Sequence, residues 1–272
     1  NEKPRPIIIR TNTLKTRRRD LAQVLINRGV QLDPLAEWTK VGLKIYNSNV
    51  PIGATPEYMA GHYILQAASS FMPCMALAPQ PGERVLDMCA APGGKTLQLC
   101  AAGLNVIAVD RSKPRLKRLE ENLARTGLSA EIITADAETW RPESPADLLL
   151  LDAPCSALGT LRRHPEGAWI KREGDIARFP DVQYRLLKAA TEMVRPGGTI
   201  LYCVCTPLRS EGADVVDRAV AEGLVTRLPV SPEEAPGFAS CITGSGDVLT
   251  LPGESAEHDA FFMSRLSPTA LK

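Results

Sequence analysis

Residues 84–95 read Arg84-Val85-Leu86-Asp87-Met88-Cys89-Ala90-Ala91-Pro92-Gly93-Gly94-Lys95. The first five predict a strand, Arg84 to Met88; the next seven, Cys89 to Lys95, predict a turn that leads straight into a helix from Thr96 to Ala101. Paired glycines let the backbone approach a ligand closely, and a helix N-terminus offers unpaired N–H groups to a carboxylate. The same turn also serves as a plain strand-to-helix connection, so it bears on the fold before it bears on function.

Working downstream, strand and helix patterns alternate at the spacing of βαβ units, which calls for a parallel sheet covered by helices. The predicted strands are Asn105 to Val109, Glu131 to Thr134, Asp147 to Leu151 and Gly198 to Cys203, with helices over Pro114 to Thr126 and Pro180 to Met193. A helix over Glu211 to Ala221 and strands over Val248 to Leu251 and Phe261 to Arg265 complete a Rossmann-like, doubly wound α/β fold. Upstream, Pro6 to Arg10 and Val41 to Tyr46 read as strands around a helix over Thr16 to Arg28. These predict three parts: a small N-terminal α+β subdomain over 1–55, built as a βαβ-like unit; a mostly helical connection over 56–80; and a catalytic domain over 81–272.

Ligands of such sheets bind beyond the carboxyl ends of the strands. Asp110 closes the second strand, where an acid can accept both hydroxyls of a ribose, and Asp136 follows the third, placed for an adenine amine. Asp152 follows the fourth. Any one of these could be a turn or capping residue; together with the Gly93-Gly94 turn they favour a nucleoside cofactor, although NAD stays open. The fourth strand runs into Asp152-Ala153-Pro154-Cys155-Ser156 and the fifth into Val204-Cys205-Thr206-Pro207. If these strands are neighbours, both thiols open beside the cofactor pocket. Cys203 shares the side of Cys205 by strand alternation and is a rival nucleophile.

The chain has 272 residues and a formal net charge of +1, enough for one full core plus a small appendage. There is no apolar run of membrane-spanning length and no secretory signal pattern, so a soluble, intracellular protein is expected. Seven scattered cysteines fit reduced thiols better than a disulfide framework, and no Cys-x-x-Cys pair or His cluster supports a metal. Charge is segregated. Residues 1–20 hold seven Lys or Arg against two acids. Further basic clusters run from Arg111 to Arg125 and from Arg162 to Arg172, whereas residues 211–259 carry ten acids and two arginines. A basic face suits nucleic acid, although a solvated helix surface is the commoner cause.

The Cys89–Lys95 turn, the Asp152–Cys155 segment and the Cys205 segment together resemble the RNA cytosine-C5 methyltransferases of the NSUN and RsmB type, over nearly the whole chain. Up to about residue 96 the chain looks like nucleolar eukaryotic members and thereafter more like bacterial small-subunit enzymes, as a chimera would. The resemblance implies a Rossmann-like methyltransferase sheet, S-adenosylmethionine as cofactor and RNA, ribosomal above all, as partner. No membrane partner is implied, and a monomer is expected, cytoplasmic or nucleolar. It implies that Cys205 attacks carbon 6 of the cytosine, that Cys155 assists product release, and that Asp152 holds the N3 and N4 edge. The implied cofactor residues are Cys89, Ala90, Ala91, Pro92, Gly93, Gly94, Lys95, Asp110, Arg115, Asp136 and Asp152. Two departures stand out: Val204-Cys205-Thr206 replaces the usual Thr-Cys-Ser, and Asp259-Ala260-Phe261-Phe262 replaces Asp-Gly-Phe-Phe.

Two rival readings remain. A DNA cytosine-C5 methyltransferase would attack with the thiol after the fourth strand, Cys155, leaving Cys205 structural. A non-catalytic RNA-binding or ribosome-assembly factor would keep the fold alone.

Overall fold

A computed structural model describes residues 6–252 and 258–269. Two sheets organise it. The smaller is antiparallel, in the order β2-β3-β1-β4, from β1 (Ile7–Thr11), β2 (Val30–Pro34), β3 (Gly42–Ser48) and β4 (Tyr63–Leu65). Helix α1 (Arg18–Asn27) covers it, closing a core of Ile9, Leu21, Leu25, Leu43, Ile45 and Tyr63. The βαβ-like expectation is corrected here, because β1 pairs with both β3 and β4 in antiparallel register. The stretch expected to be a helical connection contains β4 and only short helical turns, including α2 (Pro56–Met59) and α3 (Met72–Ala76). Three residues with strand pairing on one edge carry too little periodicity to be read from sequence.

The larger sheet runs β10-β12-β9-β8-β5-β6-β7, with β11 paired to β12. Its parallel part comprises β5 (Arg84–Met88), β6 (Asn105–Asp110), β7 (Glu131–Thr134), β8 (Ala146–Asp152) and β9 (Val194–Val204). Antiparallel β10 (Val225–Arg227), β11 (Val248–Thr250) and β12 (Phe261–Pro268) extend it beyond β9. The doubly wound expectation holds, with β10 as an addition. Side chains alternate between two buried faces, as the period of two requires. Val85, Leu148, Leu150 and Leu201 face α4 (Gly94–Ala101) and α5 (Lys113–Thr126); Leu86, Leu149, Leu151 and Ile200 face α8 (Phe179–Thr191) and α9 (Ala213–Ala221). Short helices α6 (Gly167–Ile170) and α7 (Glu173–Ile176) lie in the segment leading to α8.

The smaller sheet is locked onto the larger unit. Buried Asn12 donates to the Gly61 carbonyl at 2.9 Å and the Thr126 carbonyl at 2.8 Å. Lys15 caps the Ala60 and Arg125 carbonyls. The approach at Gly61 is so close that a Cβ would lie 2.0 Å from the Arg125 carbonyl oxygen, and φ is +76°, so only glycine fits. Several basic residues thus turn out to be structural. Arg10 is buried against Gln66, and Arg125 stacks on the Tyr58 ring. Lys3 and Arg5 lie outside the described residues.

Candidate active site

Strands β5, β8 and β9 are adjacent and parallel, and their registers align Met88 with Leu151 and Asp152 with Cys203. The loops that follow them therefore open at one level. The Cys155 and Cys205 thiols stand 3.4 Å apart there, hydrogen-bonded but not joined in a disulfide, and half-buried. Both loops are pinned. The Cys205 carbonyl accepts from Gly159 N–H at 3.0 Å. Ser156 N–H donates at 2.8 Å to Glu211, which also takes a bond from Gln183. Glu211 and Gln183 are fully buried. Sequence reading treated them only as helix residues, since only tertiary packing brings them under the Cys155 loop.

The electrostatics single out one thiol. Hydrogen bonding from Cys155 holds the Cys205 thiol below its ordinary pKa of 9.0 against the opposing effect of burial, with help from Lys95 and Arg163. The same bond, together with burial, raises Cys155 well above that value, so of the two thiols Cys205 is the one that ionises more readily. Cys203, the rival nucleophile, is fully buried and directs its thiol 3.5 Å to Asp152; burial raises its pKa strongly. It is an uncharged wall.

Behind the thiols, Lys95 donates to Asp152 at 2.7 Å and sits over the Phe261 ring. Burial opposes the charge on Lys95, but the Asp152 carboxylate, by charge and by hydrogen bond, outweighs it and raises the pKa. Asp87 is enclosed one strand away; burial pushes it up to about 7, Thr96 donates to one oxygen at 2.6 Å, and the other oxygen has no partner among the described residues.

A cleft of about 260 Å³ opens from the thiols along the ends of β6 and β7. Asp110, Asp136, Asp152, Arg115 and Cys89 line it, with apolar patches from Val109 and Leu186. Asp110 is oriented by backbone N–H groups, from Ala91 at 3.2 Å and Ser112 at 2.8 Å. Asp136 is exposed and accepts from Glu138 N–H at 2.9 Å. Carboxylates at successive strand ends around an apolar slot fit a nucleoside-bearing cofactor: acceptors for ribose hydroxyls and an exocyclic amine, with room for a base between.

A family model described as 16S rRNA methyltransferase RsmB/F matches residues 74–267, which include all of the larger sheet but the last residue of β12. The chain belongs to the RsmB/F family. Among curated relatives, the mouse 28S rRNA (cytosine-C(5))-methyltransferase is 50% identical over 238 residues, covering 84% of this chain and 30% of that protein. Ribosomal RNA small subunit methyltransferase B of Serratia proteamaculans is 37% identical, covering 84% of the chain and 54% of that protein. The crystal structure of a methyltransferase homolog protein from Pyrococcus horikoshii superposes with a TM-score of 0.80 at 29% identity, over 98% of this chain and 88% of that one. The RsmB/F chain thus spans about a third to a half of the length of these curated relatives. Eukaryotic and bacterial likenesses each extend across residue 96, so the change of character there needs no junction.

Within this RsmB/F chain the sequence-predicted residues divide into groups. Cys155, Cys205, Asp152, Asp110, Asp136, Arg115 and Cys89 meet at the cleft. Cys89 is an uncharged lining residue in a left-handed conformation (φ 62°), with its pKa pushed up to about 12 by burial. Arg115 is half-exposed, donates to the Ala91 carbonyl and lies 3.8 Å from Asp110. Ala90 and Ala91 are buried and Pro92 is exposed, all in the turn ahead of α4. The glycine argument needs correction. Gly93 is required because φ is +105° and a Cβ would strike Leu119 at 2.4 Å, whereas Gly94 has room for one. Lys95 braces Asp152 from behind and does not line the cleft. His164 faces solvent beside Glu166.

Proposed function

We propose that this chain methylates carbon 5 of a cytosine in RNA, ribosomal RNA first among candidates, through a covalent adduct of Cys205. The observation that carries the reading is the 3.4 Å thiol pair at the mouth of a carboxylate-lined cleft, with the Cys205 thiol held below its ordinary pKa by Cys155. S-adenosylmethionine, held by Asp110 and Asp136 with the Cys89–Lys95 turn alongside, supplies an electrophilic methyl group. The Cys205 thiolate gives its electron pair to carbon 6, which makes carbon 5 nucleophilic. Asp152, fixed by Lys95, accepts from the N4 amino group and, once addition at carbon 6 has made N3 basic enough to take a proton from water, from that N3–H as well, which stabilises the adduct. Once Cys205 is a thioether, the thiolate that suppressed ionisation of Cys155 is gone. Cys155 can then lose its proton, take up the one at carbon 5, and let Cys205 leave with its electron pair. The target base must be unpaired or flipped out to offer carbon 6 to the thiol.

No helix among the described residues is long and apolar enough to cross a membrane. A monomer acting in the nucleolus or in bacterial cytoplasm suits the reading. The test is trapping on a 5-fluorocytidine RNA in the presence of S-adenosylmethionine, since fluorine at carbon 5 blocks release. Cys205→Ala is expected to lose the adduct and Cys155→Ala to keep it. The reverse pattern would favour the DNA-enzyme arrangement, and no adduct with the wild-type chain would leave the fold without this chemistry.

A further inference from the structure

The segment between the two thiol loops carries a side chain that the mechanism does not use. Trp169 is 91% exposed and its neighbour Ile170 is 70% exposed. Single exposed apolar residues are ordinary, so exposure alone would mean little. Three further observations give it meaning. First, α6 is tied to the site: Lys171 donates to the Ser156 carbonyl, next to Cys155, and Gly167 packs on Leu161. Second, the intervening loop is held against Cys205 through Gly159 N–H to its carbonyl, and against the segment ahead of β12 through Arg163 to Asp259 at 2.7 Å. Third, Arg162 and Arg172 lie on either side of Trp169 along the chain, Arg162 half-buried and Arg172 exposed, and neither makes an ion pair among the described residues.

An open indole on a short segment that also carries two arginines without ion pairs, braced against the thiol loops, has the chemistry of a single-stranded nucleic-acid contact. Bases of any identity stack on an aromatic face, and arginines track the phosphates. We propose that Trp169 stacks on an unpaired base of the RNA carrying the target cytosine, with Arg162 and Arg172 meeting the adjoining phosphates. This rests on the RNA reading above.

The other two tryptophans are packed, Trp38 against Phe71 and Phe238 and Trp140 against the apolar core, so Trp169 provides an optical signal of its own. Titrating the chain with a single-stranded oligoribonucleotide is expected to quench tryptophan emission, and Trp169→Phe is expected to lose that quench while keeping most of the affinity. Trp169→Ala and Trp169→Leu are both expected to weaken binding by roughly 5- to 100-fold, because neither offers a π-face. Calorimetric titration of each variant with S-adenosylmethionine checks that it is folded. If Trp169→Ala binds RNA as the wild type does, or Trp169→Leu restores binding, the stacking assignment is overturned while the methyl-transfer reading stands. If the wild-type chain neither binds RNA nor forms an adduct, both fall.

Discussion

The two ends of the larger sheet treat charge differently. At the amino ends, Asp147 takes a bond from Arg195 at 2.7 Å and from Arg84 N–H at 2.9 Å, in side chains 33% and 49% exposed for Asp147 and Arg195. Both side chains of this pair are substantially exposed, so the pair adds little to stability. At the carboxyl ends, Lys95 is 11% exposed, Asp87 is enclosed with one oxygen unpartnered among the described residues, and two thiols stand 3.4 Å apart. One sheet, with the same strands and cores, thus has a solvated end and an enclosed end. Only the enclosed end sets protonation states that differ from those in water.

That contrast can be broken at either end, and the largest effect is expected at Cys205, the proposed nucleophile. Cys205→Ala should cut methyl transfer to RNA by about 1,000-fold or more, measured with labelled donor, while Cys203→Ala should retain it. Equal losses would mean that the buried thiol takes part.

Next comes Asp87, whose pKa is raised from 3.8 to about 7 by burial. The unfolded chain ionises this group near 4, whereas the fold keeps it neutral until about 7. Its contribution to stability is therefore fully present below pH 4 and is lost as pH rises to 7. Asp87→Asn should remove that loss, making the variant more stable than wild type at pH 8 by roughly 2–4 kcal/mol in urea unfolding. A variant that keeps the wild-type pH profile would place the titration elsewhere.

Lys95→Met leaves Asp152 enclosed without its cation. A cost of about 2–3 kcal/mol is expected, at or below the low end for buried pairs because Asp152 keeps 32% exposure. The same variant should raise the pH at which Cys205 ionises, since Lys95 helps to lower it. At the solvated end, Asp147→Asn should cost under about 1 kcal/mol and leave methyl transfer intact. A loss of several kcal/mol there would erase the contrast.

Much of this was legible in the sequence where burial imposes pattern. Residues 84–88 and 131–134 form strands with the expected bounds, and three acids and two thiols were placed because they follow apolar runs directly. What escaped lacks a local signal. Strands Val30–Pro34 and Val225–Arg227 are short and defined by pairing partners far along the chain. The inward turn of Lys95 onto Asp152, the brace of Glu211 under Ser156 and the isolation of Trp169 are tertiary facts. Arg10 and Arg125 show the converse: a basic cluster on paper can be packing in space.

The most direct test of the central claim is the pH dependence of alkylation of each thiol by iodoacetamide, resolved by mass spectrometry on the folded chain. Cys205 is expected to react with an inflection below pH 9.0 and Cys155 to lag behind it at every pH. Faster labelling of Cys155, or a Cys205 that titrates at or above the free-thiol value, would contradict the assignment of charge on which the mechanism stands.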